Sequence, residues 1–131
     1  MCGSCNVRID DVWLHLAKGQ TYRTPDIKQG VPFTIDSVTL TSISISPQNI
    51  QIARLSFSDA LHYLRANHHT CAKPCAVESS NNPNSSGPLC DAARSKNSNV
   101  RCINYILPIL QNHGLAGIDG NQPNTTWIIS Q

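Results

Sequence analysis

Apolar residues in this chain recur with different periods in successive blocks, and each period predicts an element. Between Thr21 and Leu55 the β-branched residues dominate, and Phe33, Ile35, Val38, Leu40, Ile43, Ile45, Ile50 and Ile52 fall largely at the alternating spacing of a half-buried strand. Gly30 and Pro47-Gln48-Asn49 break the alternation, so the block predicts a small antiparallel sheet or meander. Upstream, in Met1 to Lys18, the run Val12, Trp13, Leu14 and Leu16 is too short to separate a helix from a strand.

Helical spacing takes over after Leu55. Ser58-Asp59 supplies capping oxygens for a helix running to about Asn67, with Leu61 and Leu64 on one face and Phe57 close by. Thr70 to Gly87 has no apolar periodicity, and its Ser79 to Gly87 stretch of Ser, Asn, Pro and Gly predicts a mobile loop. Pro88 opens a short amphipathic helix through Leu89, Ala92 and Ala93 that ends near Lys96, and Asn97-Ser98-Asn99 reads as a turn and cap. From Asn99 to about His113, Val100, Ile103, Ile106, Leu107 and Leu110 form one buried helical face that stops at Gly114. Pro108 lies inside that helix, where a proline costs ~3 kcal/mol in an exposed host and favours a kink. Leu115 to Ile118 and Thr126 to Ile129 then predict a hairpin around Asp119-Gly120-Asn121-Gln122-Pro123-Asn124.

Helix, polar turn, longer helix and a hairpin with a hydrophilic tip follow one another in the order of a winged helix. The run Val100 to Leu110, then Gly114-Leu115 and Thr126-Trp127-Ile128, resembles the recognition helix and wing of the winged-helix superfamily, which includes cell-cycle transcription factors and many bacterial regulators. The resemblance is at fold level and spans 58–131, with the helix at Ser58 to Asn67 as the first of the bundle. It leaves 1–57 as a separate β-rich part, departs from the common pattern in the polar insertion Thr70 to Gly87, and implies an α+β chain of one compact unit. It also implies double-stranded DNA as a partner, with a role in transcription regulation or as the recognition module of a larger system.

The residues around the turn suit that partner. Arg94, Lys96 and Arg101 are phosphate anchors with Asn97, Ser98, Asn99 and Asn104 interleaved, the stretch Asn99 to Tyr105 would enter a major groove, and Gln122 and Asn124 at the hairpin tip would touch the minor groove or the sugar-phosphate backbone. The competing readings are a solvated polar face and a winged helix used as a protein-interaction subunit.

Composition narrows the choice without making it. The 131 residues carry a net charge of +2 and only 14% charged residues, so the placement of the basic groups, rather than their number, must carry any case for nucleic acid. No stretch is long and apolar enough to span a bilayer, and Met1 to Asp11 lacks the apolar core of a secretory signal; a cytoplasmic chain, or a nuclear one in a eukaryote, is expected. In that setting the sequons at Asn84 and Asn124 carry no meaning, and the six cysteines are free thiols or metal ligands.

Cys2, Cys5, Cys71 and Cys75, with His68 and His69 beside them, are candidate zinc ligands; buried or surface thiols are the alternative. Cys90 and Cys102 read as small apolar packing residues, and no catalytic thiol is assigned with His62 or His113. Asp26 and Asp36 make a weak nuclease pattern, because Glu78 is the lone glutamate and no second acid lies near either one. Trp13 and Trp127 are expected as core or hairpin anchors. An enzyme with an unrecognised site ranks behind both binding readings.

Overall fold

The computed structural model describes residues 3–82 and 84–129. It is an α+β arrangement with four helices, a four-stranded antiparallel sheet and a smaller three-stranded sheet among the described residues. None of these helices is long and apolar enough to cross a membrane.

The ambiguous N-terminal run is a helix, α1 (Gly3–His15), so the first part of the chain is not purely β. Ile9, Val12, Trp13 and Leu16 are buried at helical spacing, while Leu14 stands exposed. Trp13 closes its contact with the sheet by donating Nε1–H to the Thr39 carbonyl at 2.7 Å.

The alternating block forms the expected meander of β1 (Thr21–Arg23), β2 (Pro32–Val38), β3 (Ser42–Ser46) and β4 (Ile50–Ala53), each strand antiparallel to the next. Phe33, Ile35, Ile43, Ile45 and Ile52 all point inward and are fully buried. Leu40, expected in the same alternation, lies in the β2–β3 turn instead, where its side chain is 82% exposed.

Helix α2 (Arg54–Ala66) follows β4 without a loop and starts ahead of the expected Ser58-Asp59 cap. The ladder delivers the chain straight into it, since the Arg54 amide donates to Thr41 O at 2.8 Å, and Ser58 is buried within the helix. Its buried face is Phe57, Ala60, Leu61 and Leu64.

The segment read as a mobile loop is tied down. Within it β5 (Cys75–Ala76) pairs with a C-terminal strand, Val77 is buried with its amide on Asn124 O at 3.1 Å, and the Gly87 amide returns to Glu78 O at 3.0 Å. Two paired residues leave no periodic signal.

Helix α3 (Pro88–Arg94) starts at the expected proline. Helix α4 (Ile103–Asn112) starts later than expected because Ser98 and Asn99 have φ of 54° and 60°, left-handed backbone that cannot belong to an α-helix. Val100 therefore stands outside the helix and is 43% exposed, not part of its buried face. The helix runs through Pro108, which is buried.

The hairpin consists of β6 (Ala116–Asp119) and β7 (Thr125–Ile128), and β7 lies between β5 and β6. Gly117 lets the Trp127 indole lie on the strand, since a Cβ at that position would come within 2.2 Å of the ring. The two halves share one continuous core. Phe33 of the large sheet meets Tyr105 of α4 edge-on at 5.2 Å, and Trp13 meets Phe57 of α2 at 5.1 Å. From Tyr105 to Leu110 every side chain of α4 is buried.

Candidate functional site

The end of the β3–β4 ladder, the first turn of α2 and the turn between α3 and α4 enclose an open groove of about 840 Å³. Leu40, Leu55 and Val100 line it while remaining 82%, 50% and 43% exposed, so three large apolar side chains that find no place in the core gather at one concave surface. Each breaks the period of its own element: Leu40 leaves the sheet, Leu55 lies off the buried face of α2, and Val100 precedes α4.

Polar groups hold the groove in shape. Gln51 donates Nε2–H to Ser42 Oγ at 2.8 Å, and the Ser42 hydroxyl lies 3.2 Å from that of Thr39. Arg54 lies over the Trp13 ring at 5.2 Å, donates to Leu40 O at 3.2 Å and pairs with the Asp10 carboxylate. The Asn97 carboxamide bridges the two sides of the groove: its Oδ1 accepts the Ala53 amide at 2.8 Å and its Nδ2 donates to Val100 O at 3.4 Å. Lys96 is exposed on the same wall.

Of the candidate DNA contacts, the structure brings Lys96, Asn97 and Ser98 together at this groove. Lys96, Ser98 and Asn99 are exposed, but Asn97 is buried as the bridge just described. Arg94, expected at the surface as a phosphate anchor, is only 4% exposed. Its guanidinium is spent on Ser86 Oγ at 3.2 Å and Asn81 O at 3.3 Å, which holds the 79–87 segment against α3. Tyr105 is buried against Phe33, while Arg101 and Asn104 are half-buried, with Arg101 Nε and Asn104 Oδ1 lacking a hydrogen-bond partner among the described residues.

The hairpin tip is likewise engaged. Gln122 donates its side-chain amide to the Asp26 carboxylate, the Ile27 amide donates to Gly120 O at 2.9 Å, and Asn124 donates Nδ2–H to Gly120 O at 3.0 Å. The Gln122 bond, with further bonds from the Gln29 and Lys28 amides, holds the Asp26 carboxyl below its ordinary value. The partners suggested for nuclease chemistry are separately committed, Asp26 to the hairpin and Asp36 to Ser46 Oγ at 2.8 Å.

Among the described residues no three His, Cys, Asp or Glu side chains are grouped to hold a metal ion. Cys2 and the Cys5 side chain lie outside the described residues, Cys71 is exposed, and Cys75, Cys90 and Cys102 are buried. Burial pushes the Cys102 thiol up to about 12. Burial and the neighbouring Glu78 carboxylate push Cys75 up to about 11. These two sulfurs are therefore protonated and weak as ligands or nucleophiles at neutral pH.

Comparison with protein-family models, curated proteins and solved structures returned no match to this chain.

Proposed function

We propose that the chain is a protein-interaction module: a winged-helix-like unit over 54–129, clad by the N-terminal helix and sheet, that docks a partner protein in the groove between β4, α2 and the α3–α4 turn. Support for the winged-helix reading is the succession α2, β5, α3, α4, β6, β7, with the hairpin pairing back onto the strand between the first two helices. The observation that carries the interaction reading is the convergence of exposed Leu40, Leu55 and Val100 on one groove. Exposed apolar side chains clustered in a concavity and rimmed by polar groups favour association with another apolar surface.

Groove insertion into DNA draws less support, because the helix that would read bases is buried along Tyr105–Leu110 and the hairpin tip is bonded to Asp26 and Ile27. Selection of random displayed peptides against the intact chain tests the proposal. Peptides of micromolar or tighter affinity are expected, with binding lost in Leu55→Glu and retained in Leu14→Glu, both variants checked for a native circular-dichroism spectrum. Failure to enrich any peptide, or binding indifferent to Leu55→Glu, overturns it. A salt-dependent complex with duplex DNA that weakens in Lys96→Ala and Arg101→Ala would restore the DNA reading instead.

A further inference from the structure

Hydrogen-bond directions in the four-stranded sheet say more about what enters the groove. In an antiparallel ladder, alternate residues turn both main-chain groups toward the same neighbour. The Arg54 amide bonds Thr41 O at 2.8 Å, so in the register Ile43↔Ile52 and Ile45↔Ile50 it is Arg54, Ile52 and Ile50 that face β3. The Thr39 amide bonds Ser42 O at 2.8 Å, so Ser42 and Ser44 turn the other way, to β2, in agreement with this phase. Gln51 and Ala53 must then direct their main-chain groups away from the sheet. Among the described residues no further strand lies there, because β4 is the edge.

Ala53 confirms the direction, since its outward amide is the one taken by Asn97 Oδ1. Gln51 is exposed, and its outward amide and carbonyl open on the side where Gln51, Ala53, Asn97 and Val100 line the groove. An open rung of a β-ladder beside an apolar groove is chemically specific: its complement is the main chain of an extended strand.

We propose that the groove takes an extended peptide segment of a partner protein, which adds as a fifth strand to the β4 edge through the Gln51 main chain, places alternate apolar side chains against Leu55 and Val100, and sets an acidic side chain opposite Lys96. This rests on the docking reading above and names the form of the partner. The acid follows from charge. Asp10 and Arg54 of the groove lining neutralise each other in an ion pair, which leaves Lys96 as the cation of that lining without a carboxylate. A second copy of this chain offering its own edge, Asn49 to Arg54, brings another arginine and no carboxylate, so it is the poorer complement.

A peptide selected as above, resynthesised with single backbone N-methyl groups, tests the strand. Methylation of the one peptide amide that pairs with the Gln51 carbonyl should lower affinity about tenfold, as loss of one intermolecular hydrogen bond does, with little effect at its neighbours. Bound peptide should also slow hydrogen exchange at the Gln51 amide. Gln51→Pro removes an outward donor of an edge strand, a place where proline is tolerated, and should lower affinity about tenfold further than Gln51→Ala, which keeps that donor. Lys96→Glu should weaken acidic peptides about tenfold or more. If binding remains sensitive to Leu55→Glu but tolerates methylation everywhere and leaves Gln51 exchange unchanged, strand addition is wrong and the docking reading stands. If no binding sensitive to Leu55→Glu is found, both fail. A concentration-dependent dimer abolished by Gln51→Pro would replace the peptide with a second copy.

Discussion

Gly117 shows how closely single residues are fitted. A methyl group there would enter the Trp127 indole at 2.2 Å, and neither strand can retreat without opening the β6–β7 ladder. Gly117→Ala should lower unfolding free energy by about 2 kcal/mol, the usual cost of overpacking, as read from the urea midpoint. The thiols make a second prediction at this scale. Raised from an ordinary value of 9.0, Cys75 and Cys102 favour the protonated form in the folded chain, so their contribution to stability is intact below about pH 9 and is lost as pH climbs through about 11 and 12. Urea midpoints should therefore fall on the alkaline side, and less so in a Cys75→Ala/Cys102→Ala double variant. In the native protein at neutral pH, an alkylating reagent followed by mass mapping should label Cys71 ahead of Cys75, Cys90 and Cys102.

At the scale of elements, what was legible followed period. The meander, α2, α3 and the hairpin were readable because Phe33, Ile35, Ile43 and Ile45 alternate and because Phe57, Leu61 and Leu64 share one helical face. β5 was not, since two residues have no period, and α1 was obscured by exposed Leu14 among its buried neighbours. The start of α4 depended on two consecutive left-handed residues, Ser98 and Asn99, which propensity alone does not distinguish from a cap. One available signal pointed to the burial of α4: Ile103, Tyr105, Ile106, Leu107, Ile109 and Leu110 surround its axis, and a helix apolar on all sides is an interior helix. Arg94 could not be placed from sequence, because its burial depends on the distant Asn81 carbonyl. The groove was missed because its apolar residues come from three elements, and only their departure from period marked them. The contact between the hairpin loop and the β1–β2 loop yields a prediction here. A methyl group on Gly120 would approach Pro25 O at 2.4 Å, so Gly120→Ala should break the Ile27–Gly120 bond and speed exchange of the Ile27 amide.

For the whole molecule, the consequence of one shared core is that neither half is expected to fold alone. The piece 54–131 would expose the side of Tyr105 that Phe33 covers and lose Trp13 from Phe57. It should aggregate or bind a hydrophobic dye, while the complete chain melts in a single calorimetric transition.

The bond from Asn97 to Ala53 bears on how such a partner would be measured out. By filling the last outward amide of β4 from within, the carboxamide acts as a terminus stop, and a strand added as proposed would meet a fixed end beyond Gln51. On the strand-addition proposal, the alignment would thereby be set by the host, since Gln51 alone of β4 offers an open rung. The open stretch is also short. Recognition on that proposal would therefore rest on a single, correctly phased rung.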